Sequence, residues 1–350
     1  MKSTAIAPSN IAFTKYWGRK DEKLRLPMNG SISMCLSNLL TTTTVEFDEK
    51  LTSDEIIIQS RAVIPGDKPG IHINKTDWIP DQVRDDIEAK EAAKVSKHLD
   101  RIRKIVGIST FAKVVSENSF PTGTGLSSSA SGFAALTVAG ANAAGLRLSE
   151  KELSILARQG SGSACRSIPD GIIEWLDGDT SDTSYAKTIF NKDYWDIADV
   201  VAVVSEGRKE VSTSDAHEEA NSSLFIKVRV EGMKKKNELL KKLIKQKDFE
   251  KFGEFIESEA LELHAIYITQ KPALIYLMPN SLLIMKLCKK WREEGLPVYF
   301  TVNTGQDVHL IVEKKNVKKL EQKLKEIPEV KEIIVNYPGD GTKLSNKHLF

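Results

Sequence analysis

The chain is poor in the residues that build metal centres and covalent frameworks. Its three cysteines, Cys35, Cys165 and Cys288, are an odd and widely spaced set. That excludes a disulfide framework and a thiolate metal site of ordinary spacing, and predicts buried thiols in a reducing compartment. The six histidines form no HExxH or similar cluster; only His217 and His264 draw attention, and both are expected to be structural. Lys and Arg total 50 against 48 Asp and Glu, a net charge of +2, so no general attraction to nucleic acid or membrane follows and any anion preference must be local. No apolar run reaches the roughly 20 residues that span a bilayer. The opening Met1-Lys2-Ser3-Thr4-Ala5 lacks the apolar core of a signal peptide. A cytoplasmic protein is expected. At 350 residues, 41% hydrophobic and 28% charged, it is long enough for one large or two ordinary soluble domains.

What is present is a glycine- and serine-rich segment at residues 116–135, between a strand expected at 111–115 and an Ala-rich helix at 131–144. Gly123 and Gly125 permit positive φ and close approach of a ligand to the backbone. Ser127, Ser128 and Ser129 add hydroxyls where a first helical turn leaves its N–H groups unpaired and its dipole positive. Such a site suits phosphate, although the spacing is neither the Walker loop nor the dinucleotide fingerprint.

Elsewhere the β-rich stretches 41–47 and 55–59 are expected to pair as a hairpin. Residues 81–106 carry apolar positions at helical spacing under heavy charge, which predicts a surface helix or pair. Ser149 with Glu152 three residues on predicts a capping-box helix start. A polar loop at 177–184 precedes a buried strand at 199–205. Amphipathic helices are expected at 222–245, 248–265 and 280–294. Strands at 298–302 and 309–312 flank a turn at Thr304-Gly305, and a helix at 317–327 with a strand at 331–336 completes a βαβ-type ending. This order predicts two α+β domains meeting at a cleft, divided near residue 185.

Two further segments suit anions. Lys15, Arg19 and Lys20 cluster around Tyr16, Trp17 and Gly18, cations beside a donor hydroxyl that fit a phosphate ester; Asn10, just upstream, can orient a substrate hydroxyl or cap a turn. The second Gly/Ser stretch, 159–167, holds Ser161 and Ser163 and ends in Arg166, whose guanidinium can hold a carboxylate bidentately. Together these imply a substrate with several anionic groups.

Taken in order, Ala7-Pro8-x-Asn10-Ile11-Ala12, Lys15-Tyr16-Trp17-Gly18, Pro27-x-Asn29-x-Ser31-x-Ser33, Thr41 to Thr44, Phe120-Pro121-Thr122 with Gly125-Leu126-x-Ser128-Ser129-Ala130, Arg158 to Ser167 and Glu174-Trp175 resemble the diphosphomevalonate decarboxylase family, a branch of the superfamily of galactokinase, homoserine kinase and mevalonate kinase. The resemblance runs from about residue 5 to 310. It implies an α+β fold of two domains: 1–185, with a left-handed βαβ crossover, and 186–350, a ferredoxin-like α/β sandwich. It implies an isoprenoid-pathway carboxy-lyase, usually a homodimer, that uses ATP and Mg2+ to phosphorylate the tertiary 3-hydroxyl of a mevalonate 5-phosphate or 5-diphosphate. The 3-phosphate then leaves and CO2 is lost, giving isopentenyl phosphate or diphosphate. Carried over, Gly123, Gly125, Ser127, Ser128 and Ser129 would cradle the ATP phosphates, with Ser128 or Ser129 near Mg2+. Asn10 and Arg166 would hold the 3-oxygen and carboxylate. Lys15 belongs to the catalytic set and, with Tyr16, Arg19, Ser161, Ser163 and Ser212, to the 5-phosphate end.

Two departures stand out. Where the family carries an aspartate beside the reacting carbon, this chain has Asn303 in Thr301-Val302-Asn303-Thr304-Gly305-Gln306-Asp307. Asparagine cannot accept the proton or stabilise a cation at C3 by charge. The chain could be an inactivated form, could stop at phosphorylation or binding, or could use another acid such as Asp307 or Asp170. The segment Lys209 to His217, which includes Ser212, also differs from the diphosphate-using pattern. With Arg19 following Trp17-Gly18, it looks closer to the archaeal branch, which includes phosphomevalonate decarboxylase and an ATP-independent relative acting on mevalonate 3,5-bisphosphate.

Overall fold

A computed structural model describes residues 1–60, 81–120, 125–204, 216–217 and 219–350. Gly123 and Ser212 lie outside the described residues.

The N-terminal stretch is a long strand, β1 (Lys2–Ala12), and it runs antiparallel to β4 (Ser31–Phe47). A small ribbon of β2 (Arg19–Asp21) and β3 (Leu26–Pro27) interrupts them. The four consecutive threonines of β4 suit a pleated, half-buried surface. The hairpin expected between 41–47 and 55–59 does not form. Instead β6 (Ala112–Asn118) lies between β4 and β5 (Glu55–Ser60), antiparallel to the first and parallel to the second. Parallel neighbours need a crossover connection, and α1 (Asp81–Val106), one continuous helix, lies on it. The edge position of β5 leaves Ile57 and Ile58 about half exposed.

Helix α2 (Ser128–Ala143) is buried almost throughout. Its small residues let Ala134, Ala135 and Ala139 share a core with Ala5, Ala7 and Val45 of the sheet. Helix α3 (Glu150–Gly160) starts with the expected capping box between Ser149 and Glu152 and ends at a 3-10 turn, Gly162–Ser167. Strands β7 (Ile172–Trp175) and β8 (Ala186–Phe190) extend the sheet from β4.

The second sheet is antiparallel, in the order β10 (Val298–Thr301), β11 (Val308–Glu313), β9 (Ile197–Val203), β12 (Glu332–Asn336). That is the ferredoxin-like order, with α4 (Ile226–Gln246), α5 (Phe249–Thr269) and α6 (Pro279–Glu293) between β9 and β10, and α7 (Val317–Lys325) before β12. The last strand, β13 (Lys343–Ser345), returns to pair with β1 in the first sheet. One face of β9 (Val201, Val203) packs with Ile11, Phe13 and Leu126 from the first sheet and its loops, so the two layers share a core. The turn after β10 thereby reaches the start of α2.

Candidate active site

Three chain segments converge where β1 ends, where α2 begins and where β10 turns into β11. Lys15 is 2% exposed. Its Nζ donates to Ala12 O at 2.6 Å and to Asn303 Oδ1 at 3.0 Å. Asn303 Nδ2 in turn donates to Ser127 Oγ at 3.3 Å. Ser127 caps α2 in the left-handed region (φ 59°) without using its own side chain as a cap, so the first N–H groups of the helix keep their unpaired character. Gly125 (φ 107°) makes the close packing possible: a Cβ there would stand 2.6 Å from the Cα of Gly305. Any side chain at 125 would push the Gly/Ser loop off the 303 turn. Ser128 is half-buried and Ser129 exposed.

Arg166, on the 3-10 turn, is 5% exposed. Nε donates to Asn10 Oδ1 at 3.1 Å and Nη1 to Ser31 Oγ at 2.8 Å, while the guanidinium lies 5.7 Å from the Trp175 ring centroid. Asn10 is itself held, its Nδ2 donating to Ser167 Oγ at 2.8 Å and to Ser163 O at 3.4 Å. Among the described residues Arg166 has no carboxylate partner and its Nη2 makes no hydrogen bond. A buried guanidinium held by neutral groups is costly unless an anion completes it. It is poised for a carboxylate.

Tyr16 and Arg19 form a separate group. Tyr16 Oη accepts from Arg19 Nε at 3.1 Å, and Arg19 Nη1 is bonded to Glu22. The Tyr16 ring stacks on His217 at 4.4 Å and meets Trp175 edge-on at 4.6 Å. Gly162 lets the 3-10 turn come close, since a Cβ there would meet Tyr16 Oη at 3.0 Å. Ser161 and Ser163 flank that glycine, half-buried, with no side-chain hydrogen bond among the described residues.

Asp307 is buried and accepts from the Val204 N–H at 3.0 Å. Asp170 is exposed and accepts from the Gly341 N–H. Neither is bonded to Lys15, Asn303 or Arg166.

Two family models match the chain: the diphosphomevalonate decarboxylase-like N-terminal domain over residues 7–186, and the mevalonate 5-diphosphate decarboxylase C-terminal domain over 199–346. The chain belongs to the diphosphomevalonate decarboxylase family. It is therefore a member of a family of carboxy-lyases. Similar proteins include a diphosphomevalonate decarboxylase of Candida albicans, 32% identical over 91% of this chain and 86% of its own length. A phosphomevalonate decarboxylase of Haloferax volcanii is 30% identical over 92% and 91%. Among solved structures, the mevalonate diphosphate decarboxylase from Enterococcus faecalis superposes with a TM-score of 0.85 at 35% identity, covering 99% of both chains. A structure described as MDDEF in complex with MVAPP, AMPPCP and magnesium has the same TM-score and identity, and again covers 99% of both chains.

In this decarboxylase-family chain the site also uses the two histidines that the sequence singled out only as structural. His217 accepts the Gly18 N–H at Nδ1 (3.0 Å) and stacks between Tyr16 and Trp17. His264 Nε2 donates to Asn303 O at 3.1 Å, and burial pushes its pKa down to about 4. Ser31 and Ser167 hold Arg166 and Asn10. Both serines fall inside the family motifs, Ser31 within 27–33 and Ser167 at the end of 158–167, but nothing in the motifs marks them as the acceptors for Arg166 and Asn10. Behind Lys15 lies a buried ion network: Arg229 Nη2 to Glu259 Oε2 at 2.9 Å and Lys236 Nζ to Glu259 Oε1 at 2.7 Å. No helix among the described residues is long and apolar enough to cross a membrane.

Proposed function

We propose that this chain catalyses ATP-dependent decarboxylation of a 5-phosphorylated mevalonate, through phosphorylation at the 3-hydroxyl and loss of the 3-phosphate with CO2, to isopentenyl phosphate or diphosphate. The observation that carries it is the hydrogen-bonded chain Lys15–Asn303–Ser127, which sets an anion-binding helix start against the place where a tertiary hydroxyl would react.

The start of α2 suits the phosphates of ATP: Gly125 and Ser127 hold positive φ, and the helix has no side-chain cap. Gly125, Ser127, Ser128 and Ser129 would hold the nucleotide, with Gly123 from outside the described residues, and Ser128 or Ser129 would lie near Mg2+. When bound, ATP supplies the phosphoryl group that makes the 3-oxygen able to leave.

Arg166 would hold the substrate carboxylate through its unengaged Nη2, and Asn10 would fix the guanidinium and the 3-oxygen. As the 3-oxygen departs with its phosphate, positive charge develops at C3. The electrons of the C–CO2 bond move in to form the alkene, and CO2 is released. Asn303 orients Lys15 by its carbonyl and Ser127 by its amide. Tyr16, Arg19, Ser161, Ser163 and Ser212 would bind the 5-phosphate end. Arg19 is shared with Glu22, which suits a monophosphate better than a diphosphate. We also hold to a division near residue 185 and to a cytoplasmic homodimer; the ranges of the two family models support the former.

The test is incubation with mevalonate 5-phosphate, 5-diphosphate and 3,5-bisphosphate, each with and without ATP and Mg2+, following CO2 and ADP. CO2 and ADP from a 5-phosphorylated ester are expected. CO2 from the bisphosphate alone, with no ADP from the others, would replace this reading by the ATP-independent one. ADP without CO2 would leave a 3-kinase, and binding without turnover would leave a sensor.

A further inference from the structure

We propose that Lys15, as a neutral amine, is the group that takes the proton from the substrate 3-hydroxyl. The assignment presumes the function proposed above and goes on to name its proton acceptor.

The geometry leaves Lys15 little reason to stay charged. Both hydrogen-bond partners of Nζ, Ala12 O and Asn303 Oδ1, are neutral oxygens. The carboxylates facing it are already engaged. Glu259 is held by Arg229 and Lys236 and reaches Lys15 only at its backbone N–H, 3.3 Å away. Asp199 is bonded to His309 at 2.9 Å and 3.0 Å. Arg166 and Arg229 face Lys15 as cations, and His264, on the far side of Asn303, is neutral near pH 7. Burial is the largest influence on Lys15 and, against the pull of Glu259, holds its pKa well below the usual lysine range. An amine so placed can accept a proton, and its two partners then accept hydrogen bonds from the ammonium.

The step balances. The hydroxyl proton moves to Nζ as the 3-oxygen bonds to the terminal phosphorus of a nucleoside triphosphate. The bond from that phosphorus to its bridging oxygen breaks, and the electron pair leaves with the nucleoside diphosphate. When the C3–O bond later breaks, the departing phosphate takes the proton from Nζ and the amine is restored.

Three variants and two readouts test it. Without nucleotide, the Cε and Nζ resonances of isotopically labelled lysine, assigned by their loss in Lys15→Arg, report the charge of Lys15. They should titrate below the usual lysine range, and ADP formation should fall with the same midpoint as pH is lowered. At saturating mevalonate 5-phosphate and ATP, Lys15→Arg and Lys15→Met should form ADP on the order of 100-fold more slowly. Adding Asn303→Asp to Lys15→Arg should restore ADP formation, with its acid limb moved to the carboxylate range. Lys15 charged up to pH 9.5, or an active wild type whose variants are slowed less than tenfold, overturns the proposal alone. A wild type that forms neither ADP nor CO2 from any mevalonate ester overturns the functional reading, and this proposal with it.

Discussion

Lys15 Nζ lies 3.0 Å from the side-chain oxygen of Asn303, an amine-to-amide contact between two groups that carry no opposite charges. The shape of residue 303 is set by its neighbours on both sides, since its side-chain nitrogen reaches Ser127 and its backbone carbonyl accepts from His264. Asn303→Asp keeps that shape and adds a carboxylate beside the carbon where positive charge develops. CO2 release should rise about tenfold or more, by the magnitudes of electrostatic and acid–base assistance. Unchanged CO2 release in Asn303→Asp would show that residue 303 does not face the reacting carbon.

Arg166 uses Nε and Nη1 to anchor itself on Asn10 and Ser31. Lysine has one nitrogen and cannot keep both anchors while presenting a donor to a carboxylate. Arg166→Lys should therefore lower kcat/KM for CO2 release about 100-fold, without a change in melting temperature beyond a few degrees. Retained kcat/KM in steady-state assays would remove Arg166 from the carboxylate.

Gly125 combines φ 107° with a Gly305 neighbour that a Cβ would meet at 2.6 Å. Gly125→Ala should cost about 1–3 kcal/mol in urea unfolding and raise the KM for ATP, because the loop must move away from the 303 turn. A normal KM for ATP at reduced stability would separate this contact from nucleotide binding.

Two buried histidines link stability to pH. Burial lowers His98 from 6.5 to about 3 and His264 from 6.5 to about 4. The unfolded chain binds protons that these folded sites refuse, so stability is complete above about pH 6.5. It falls as pH drops, through about 4 for His264 and about 3 for His98. His264 can contribute about 3 kcal/mol across its window and His98 about 5 kcal/mol. Replacing His98, whose Nε2 pairs with Thr137 Oγ1 at 2.8 Å, by asparagine should flatten the decline in denaturant midpoints between pH 6.5 and 4; an unaltered slope would contradict this.

Local chemistry was legible and long-range placement was not. The capping box at Ser149 and Glu152, the threonine run of β4 and the small residues of α2 each state their own structure. Strand β1 is harder to see, because Ala5, Ala7 and Ser9 are small and the strand is buried on both faces, which removes the alternation that marks a strand. The wrong pairing of 41–47 with 55–59 has the same origin: which strand lies next to β4 depends on the crossover through α1, not on the residues of β5. At the site, Asn10, Lys15, Arg166 and Asn303 stand out by residue type and motif. The partners that hold them, Ser31 and Ser167 as acceptors and His264 as a donor, are brought to them by the fold, as is the approach of Gly125 to Gly305 across 180 residues.

The most direct measurement is the ratio of CO2 to ADP released when the protein turns over mevalonate 5-phosphate with ATP and Mg2+. Equal amounts of the two, with isopentenyl phosphate as product and none of the three without ATP, are predicted. ADP without CO2, or CO2 from mevalonate 3,5-bisphosphate without nucleotide while the 5-phosphate gives neither product, would contradict the account.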